Sequence, residues 1–157
     1  RTQAGWQTQV LIGNTPITLQ TSYLPQELQN IETTGKPILQ DFINKNLYIV
    51  VSNDSQRAIA SKFILLEPIV RRLQFACSEE QAENDFCLNN NLPIKNCENK
   101  QDDESIIILR DIETENKSTE EPEQTSIEFN KCLIITSSKD FDKAIEKSIF
   151  MIFGIIN

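Results

Sequence analysis

Histidine is absent from this chain of 157 residues, and its absence removes whole classes of chemistry. Ser-His-Asp and Cys-His nucleophile systems cannot be built, and zinc, copper and non-haem iron sites lose their commonest ligand. Only four glycines occur, with no G-x-G-x-x-G turn and no glycine-rich loop to cradle a phosphate. Long apolar runs are missing too: the longest, residues 149 to 156, falls far short of the ~20 residues a membrane-spanning helix needs. Positive charge is scarce, with 15 Lys and Arg against 23 Asp and Glu and a formal net charge of −8. That balance opposes binding to nucleic acid, which rewards cationic proteins through counterion release, and disfavours anionic membrane surfaces. The adjacent Arg71 and Arg72 are the local exception and read as cations at a helix C-terminus.

What the chain does have is cysteine. Cys77, Cys87, Cys97 and Cys132 form an even set, three of them at ten-residue intervals in one polar region. The short C-x₂₋₄-C spacing of a zinc site is absent, so structural disulfides are expected, and with them an oxidising compartment. Three connectivities are open. The favoured one joins Cys77 to Cys87 and Cys97 to Cys132, worth roughly 2.7 and 3.8 kcal/mol on the chain-entropy account. The bland alternative is four buried free thiols in a reducing cytoplasm. Two N-x-S/T sequons, at Asn53 and Asn116, are candidate glycosylation positions in a secreted protein. The sequence opens on Arg1 rather than Met, so any leader or membrane anchor is expected upstream.

A chain of this length buries roughly two-thirds of its unfolded surface as one domain, and no internal repeat argues otherwise, so residues 1–157 are taken as a single extracytoplasmic α/β domain. Trp6–Ile12 and residues 17 to 23 flank Gly13-Asn14-Thr15-Pro16 and predict a β-hairpin. Pro25–Leu28 predicts one helical turn. Residues 47 to 51 are consecutive strand formers and predict a buried strand. Asp54 or Ser55 is the expected cap of a long helix whose stripe is Ile59, Phe63, Leu66, Ile69, Val70 and Leu73, kinked near 64 to 68 by Pro68. Residues 77 to 100 predict a disulfide-stapled loop. Residues 105–110 and 126–135 predict two strands joined by a mobile hairpin tip over the acidic stretch 113–125. Ser137 and Ser138 are expected to cap a final helix, about 139 to 153, with Phe141, Ala144, Ile145, Ile149, Ile152 and Phe153 buried and Asp142, Lys143, Glu146 and Lys147 in water. The expected fold is a two-layer α/β sandwich, a mixed sheet of about five strands with two long helices on one face and the other face open to a partner.

Acidic residues at strand ends, Asp54, Asp102, Asp103, Glu104 and Asp111, are the remaining candidates for carboxylate chemistry, but solvated loop charges account for them better, since nothing in the sequence fixes two carboxyls at a working separation. Asp102-Asp103-Glu104 lacks the glycine and the spaced oxygens of a calcium loop. The sequence therefore assigns no catalytic residue, no metal and no cofactor.

The segments Ala76-Cys77-Ser78-Glu79-Glu80, Leu92-Pro93-Ile94-Lys95-Asn96-Cys97, Ile106–Leu109 and Asn130–Ile135, with the ending from Asp142 to Ile156, resemble exported, membrane-anchored surface proteins of small symbiotic archaea. The resemblance spans about residues 47 to 157 and departs at Lys131 and in the long acidic stretch. It implies a cell-surface or extracellular domain with disulfides, anchored only through a segment upstream, and carries no catalytic residue. The leading expectation is a non-enzymatic interaction module or subunit of a surface layer or filament, with protein partners or self-assembly. The rival is a carboxylate-dependent enzyme or solute-binding domain outside the membrane. If both disulfides form, mass spectrometry of unreduced protein will find every thiol hydrogen missing; four alkylatable thiols in native material would overturn the oxidised reading.

Overall fold

The computed structural model describes residues 5–12, 14–111, 125–137 and 141–155. Strand β1 (Trp6–Ile12) pairs antiparallel with β2 (Thr15–Thr21), Trp6 opposite Thr21 and Ile12 opposite Thr15. This ribbon is a separate two-stranded sheet, whose Ile17 and Leu19 enter the main core. A 3₁₀ turn, Pro25–Leu28, follows where the proline predicts it and buries Leu28. Short strand β3 (Glu32–Thr34) leads to Gly35, whose φ of +78° favours glycine and where a Cβ would strike the Phe129 carbonyl oxygen.

The run of strand formers becomes β4 (Asn46–Val50), the strand from which the sheet grows in both directions. Helix α1 (Asp54–Ala60) starts directly after it, capped by Asn53 rather than Asp54 or Ser55: Asn53 Oδ1 accepts from the Gln56 amide at 2.8 Å. The expected long helix is not formed. The backbone tightens into a 3₁₀ segment, Ser61–Leu66, and turns ahead of β5 (Arg72–Ala76), which contains Leu73. Pro68 explains the stop, and β5 gains a full parallel ladder on β4 that a continued helix would forfeit. Arg71 and Arg72 accordingly sit at a strand start, not a helix end.

The chain then crosses to the other side of β4, passing through α2 (Asp85–Asn89) and a long irregular stretch to β6 (Glu104–Asp111). The predicted strand 126–135 is in fact two, β7 (Thr125–Phe129) and β8 (Leu133–Ser137), folded into their own antiparallel hairpin by a turn at 130–132. Strand β6 pairs parallel with β8, so 105–110 and the following strand do not make the expected hairpin. The acidic stretch up to residue 124 lies outside the described residues. The order β3-β7-β8-β6-β4-β5 makes a six-stranded mixed sheet, one strand more than expected and with the hairpin apart from it.

Strands buried on both faces need two covers. One face presents Leu47, Ile49, Ile107, Leu109, Leu133 and Ile135 to Phe63 and Leu66 of the 3₁₀ segment and to Ile145 and Ile149 of α3 (Asp142–Ile152). The other presents Val50, Ala76, Ile106 and Cys132, with Tyr48, Ile108 and Ile134 at their margin. The two parallel connections, β4 to β5 and β5 to β6, lead to opposite sides of β4 and run over opposite faces, as crossovers of one hand require. The second face above β4 and β6 is thus covered by the chain's own crossover, a correction to the expected open face.

Helix α3 corrects a second expectation. It is the only long helix among the described residues, and Ser137 ends β8 rather than capping it, while 138–140 lie outside the described residues. Glu146 and Lys147, expected in water, are buried. The Glu146 carboxylate accepts from the Ser22 amide with both oxygens and from the Tyr23 amide, each at 2.9 Å, and from Lys62 Nζ at 2.6 Å. Burial alone would pull the Lys62 ammonium down; the hydrogen bond and charge of Glu146, helped by Asp142, outweigh it and hold it above its ordinary value. Lys147 reaches the Ile31 carbonyl at 2.8 Å, and burial lowers its pKa. One carboxylate therefore joins the ribbon, α3 and the 3₁₀ segment. Glu146→Ala is expected to destabilise the domain by roughly 3 kcal/mol, since it leaves a half-buried ammonium and two amides without their acceptor; Glu146→Gln should cost less, and urea denaturation measures both.

Candidate functional site

The polar residues that could meet a ligand are gathered where the sheet's connections diverge. Strand β4 leads to β5 on one side and β6 leads away to β7 on the other, so a crevice opens beyond the carboxyl ends of β4 and β6. Such a switch point is where open α/β sheets bind ligands. Here it is a cavity of about 850 Å³, floored by Val50, Ile108 and Ile134 and walled by the start of α1, the end of β6 and the crossover.

One wall is built on Gln56. Its buried side chain accepts from the Ser52 amide at 2.8 Å and the Ser52 hydroxyl at 3.0 Å and donates to Asp111 Oδ2 at 2.9 Å. This clasps the ends of β4 and β6 together and aims Asp111. Neighbouring Arg110 makes no ion pair or side-chain hydrogen bond among the described residues. The facing wall is the crossover, with Glu79, Glu80, Asn96 and Glu98 on the cavity; Asn96 Nδ2 donates to Glu79 Oε1 at 3.1 Å.

That wall has almost no regular secondary structure, and covalent and ionic ties hold it. Cys77 is bonded to Cys87 and Cys97 to Cys132, with Cα separations of 6.3 and 5.8 Å, the same two pairs favoured from spacing. The first closes the crossover's opening loop; the second fastens its far end to the turn before β8. Between them, Cys77 exchanges backbone hydrogen bonds with Pro93 and Lys95 in a single parallel bridge to Ile94. At the cavity end, Arg57 donates to Asn90 at 3.1 Å and lies 5.3 Å from the Phe86 ring, while Asn84 reaches the Ser52 carbonyl at 3.1 Å. Lys95 is held to Glu104 at 2.7 Å and lies over the Tyr48 ring at 4.4 Å.

The sequence candidates separate. Asp54 and Asp111 lie at the cavity end of the sheet, but Asp54 pairs with Arg57 at 2.9 Å and Asp111 is engaged by Gln56. Asp102, Asp103 and Glu104 lie at the opposite, amino end of β6; Arg71 approaches Asp103 at 3.9 Å. The five carboxylates therefore do not converge. Among the described residues no group of three or more His, Cys, Asp or Glu is arranged to hold a metal, and no helix is long and apolar enough to cross a membrane. The start of α1 is closed by Asn53, which is exposed on the cavity rim; Asn116 lies outside the described residues. Gln56, Arg110, Lys95 and Glu98 escaped the sequence reading, because a lone polar residue carries no motif and only the strand order brings them together. No family model, curated protein or solved structure matches the chain.

Burial works against the Glu104 charge, but the Lys95 hydrogen bond, the Gln101 amide and the Lys95 charge overcome it and hold the carboxyl below its ordinary range. Lys95 is raised, chiefly by its hydrogen bond to Glu104 against the opposing effect of burial. A depressed carboxyl contributes stability above its unfolded pKa and loses it as pH falls through the folded one. Acid titration of stability should therefore show a loss below the ordinary glutamate range that is reduced in Glu104→Gln; an unchanged acid limb in that variant would remove Glu104 as its source.

Proposed function

We propose that this protein is a non-enzymatic, extracytoplasmic solute-binding domain whose ligand is a small polar molecule bearing both hydrogen-bond donors and acceptors. The observation that carries this is the cavity at the switch point, which is lined by Arg110, without an ion pair among the described residues, by the carboxylates of Glu80, Glu98 and Asp111, and by amides. A cation among acids and amides suits a zwitterionic or hydroxyl-rich solute better than a purely apolar one. The disulfides, which fit an oxidising environment, support a location outside the cytoplasm, at a cell surface or beyond, and are in keeping with the resemblance to anchored archaeal surface proteins. The separation of the five strand-end carboxylates offered by the sequence, with Asp102, Asp103 and Glu104 at the opposite end of β6 from the cavity, favours binding over carboxylate hydrolysis by them. The rival reading, an interaction module or assembly subunit, draws its support from a different place, the open edge of β5.

Titration calorimetry against a panel of amino acids, sugars and sugar acids tests the proposal. At least one class is expected to bind, with Arg110→Ala and Asp111→Asn each weakening it on the order of tenfold through loss of a charge-assisted hydrogen bond while the thermal melt stays unchanged. No binding across the panel at millimolar concentrations, or binding indifferent to both substitutions, would overturn it.

A further inference from the structure

Strand β5 is an edge of the sheet, and its backbone is only partly occupied. A strand residue sends its N–H and C=O to the same side, and these sides alternate. The Ala76 carbonyl accepts from the Val51 amide, so Arg72, Gln74 and Ala76 face β4, and Leu73, Phe75 and Cys77 face outward. Cys77 has its outward partners in Pro93 and Lys95. Leu73 and Phe75 have none among the described residues, which leaves two outward donors and two acceptors in ladder geometry.

Beside this bare stretch lies a groove of about 340 Å³ between β5 and the 3₁₀ segment, with Ile64, Val70, Leu73 and Phe75 as its apolar lining. Ile64 is 57% exposed, so the groove is open to an incoming apolar side chain. Exposed Arg71 and Arg72 stand at one end. Glu67 lines the same groove and Arg71 is paired with Asp103 at 3.9 Å, so on a chain of net charge −8 the cation left for an incoming carboxylate is Arg72, which forms no ion pair among the described residues. Natural edges are usually blunted by covering elements or irregularity. Here the segment 93–95 covers only the carboxyl end of β5.

We propose that this edge is a docking site for an extended acidic peptide of another protein, which adds a short strand on Leu73 and Phe75. Main-chain hydrogen bonds supply the general affinity, one apolar side chain enters the groove, and a carboxylate meets Arg72. The unpaired charge of Arg72, among the described residues, selects an acidic occupant. A second copy of this chain fits less well, because antiparallel pairing of two β5 strands would bring the Arg72 end of each against the segment 93–95 that already covers the other. The inference is independent of the solute cavity, which lies at the carboxyl ends of β4 and β6.

An array of short synthetic peptides, β-branched at alternate positions and carrying either paired glutamates or paired lysines at one end, supplies the probe. Glutamate members are expected to bind at micromolar concentrations, to weaken with salt, and to shift the amide resonances of Leu73 and Phe75. Arg72→Glu, at an exposed position, should weaken them by about fivefold and shift preference toward lysine members; N-methylation of peptide amides that enter the ladder should abolish binding. The proposal is overturned if no member binds below about millimolar concentration, if binding ignores the charge at Arg72, or if sedimentation shows a dimer that Ile64→Asp dissolves, which would give the edge to a second copy.

Discussion

A sheet whose central strands are parallel has no solvent-facing side to spare, and this requirement governs the molecule. On one face it is met conventionally, by α3 and the 3₁₀ segment packed on a continuous aliphatic layer. On the other it is met by the crossover between β5 and β6, which spans Cys77 to Asp103 and contains only the five-residue α2, a 3₁₀ turn and one isolated bridge. A stretch held by local turns and caps, with no long helix or continuous ladder, has little regular structure to offset the entropy of ordering it over an apolar surface. The disulfides and the Lys95–Glu104 pair are the offset. Cys132 itself belongs to the buried cluster of that face, so a bond that constrains the chain also fills the core.

The same crossover makes the cavity. Had a helix covered the second face, its side chains would have packed down over Ile108 and Ile134. An irregular cover leaves space at one end, which is the end where the connections of β4 and β6 part. Architecture, covalent ties and binding geometry are thus a single arrangement: the ties fix the facing wall, and Gln56 fixes the opposite one by clasping Ser52 to Asp111. The open edge of β5 has a related origin, since the short bridge at Ile94 completes only the end of that strand nearest the cavity.

Much of the local structure was legible. The proline at position 25 marks its turn, the five strand formers mark β4, and three of the four cysteines mark the irregular crossover. Errors arose where one pattern served two structures. Leu73 keeps helical spacing with Ile69 and Val70, yet it lies in a strand because parallel pairing on β4 outweighs local periodicity. Glu146 has the spacing of a solvent-facing residue on α3 but is drawn inside by the two amides that follow the ribbon, those of Ser22 and Tyr23, and by Lys62. Residues 126 to 135 read as one strand because nothing between Phe129 and Leu133 breaks the pattern except Asn130 and Lys131, a weak turn signal.

By itself the sequence determined the class of fold, the oxidised state expected of its cysteines and the exclusion of imidazole chemistry, because each depends on composition or near-neighbour spacing. Strand order, the cover on the second face, the burial of Glu146 and the gathering of Arg110, Glu80 and Glu98 around one cavity were decided only in three dimensions. These depend on which distant segments compete successfully for the edges and faces of β4, and that competition is settled by the packing of the whole chain, not by any one stretch of it.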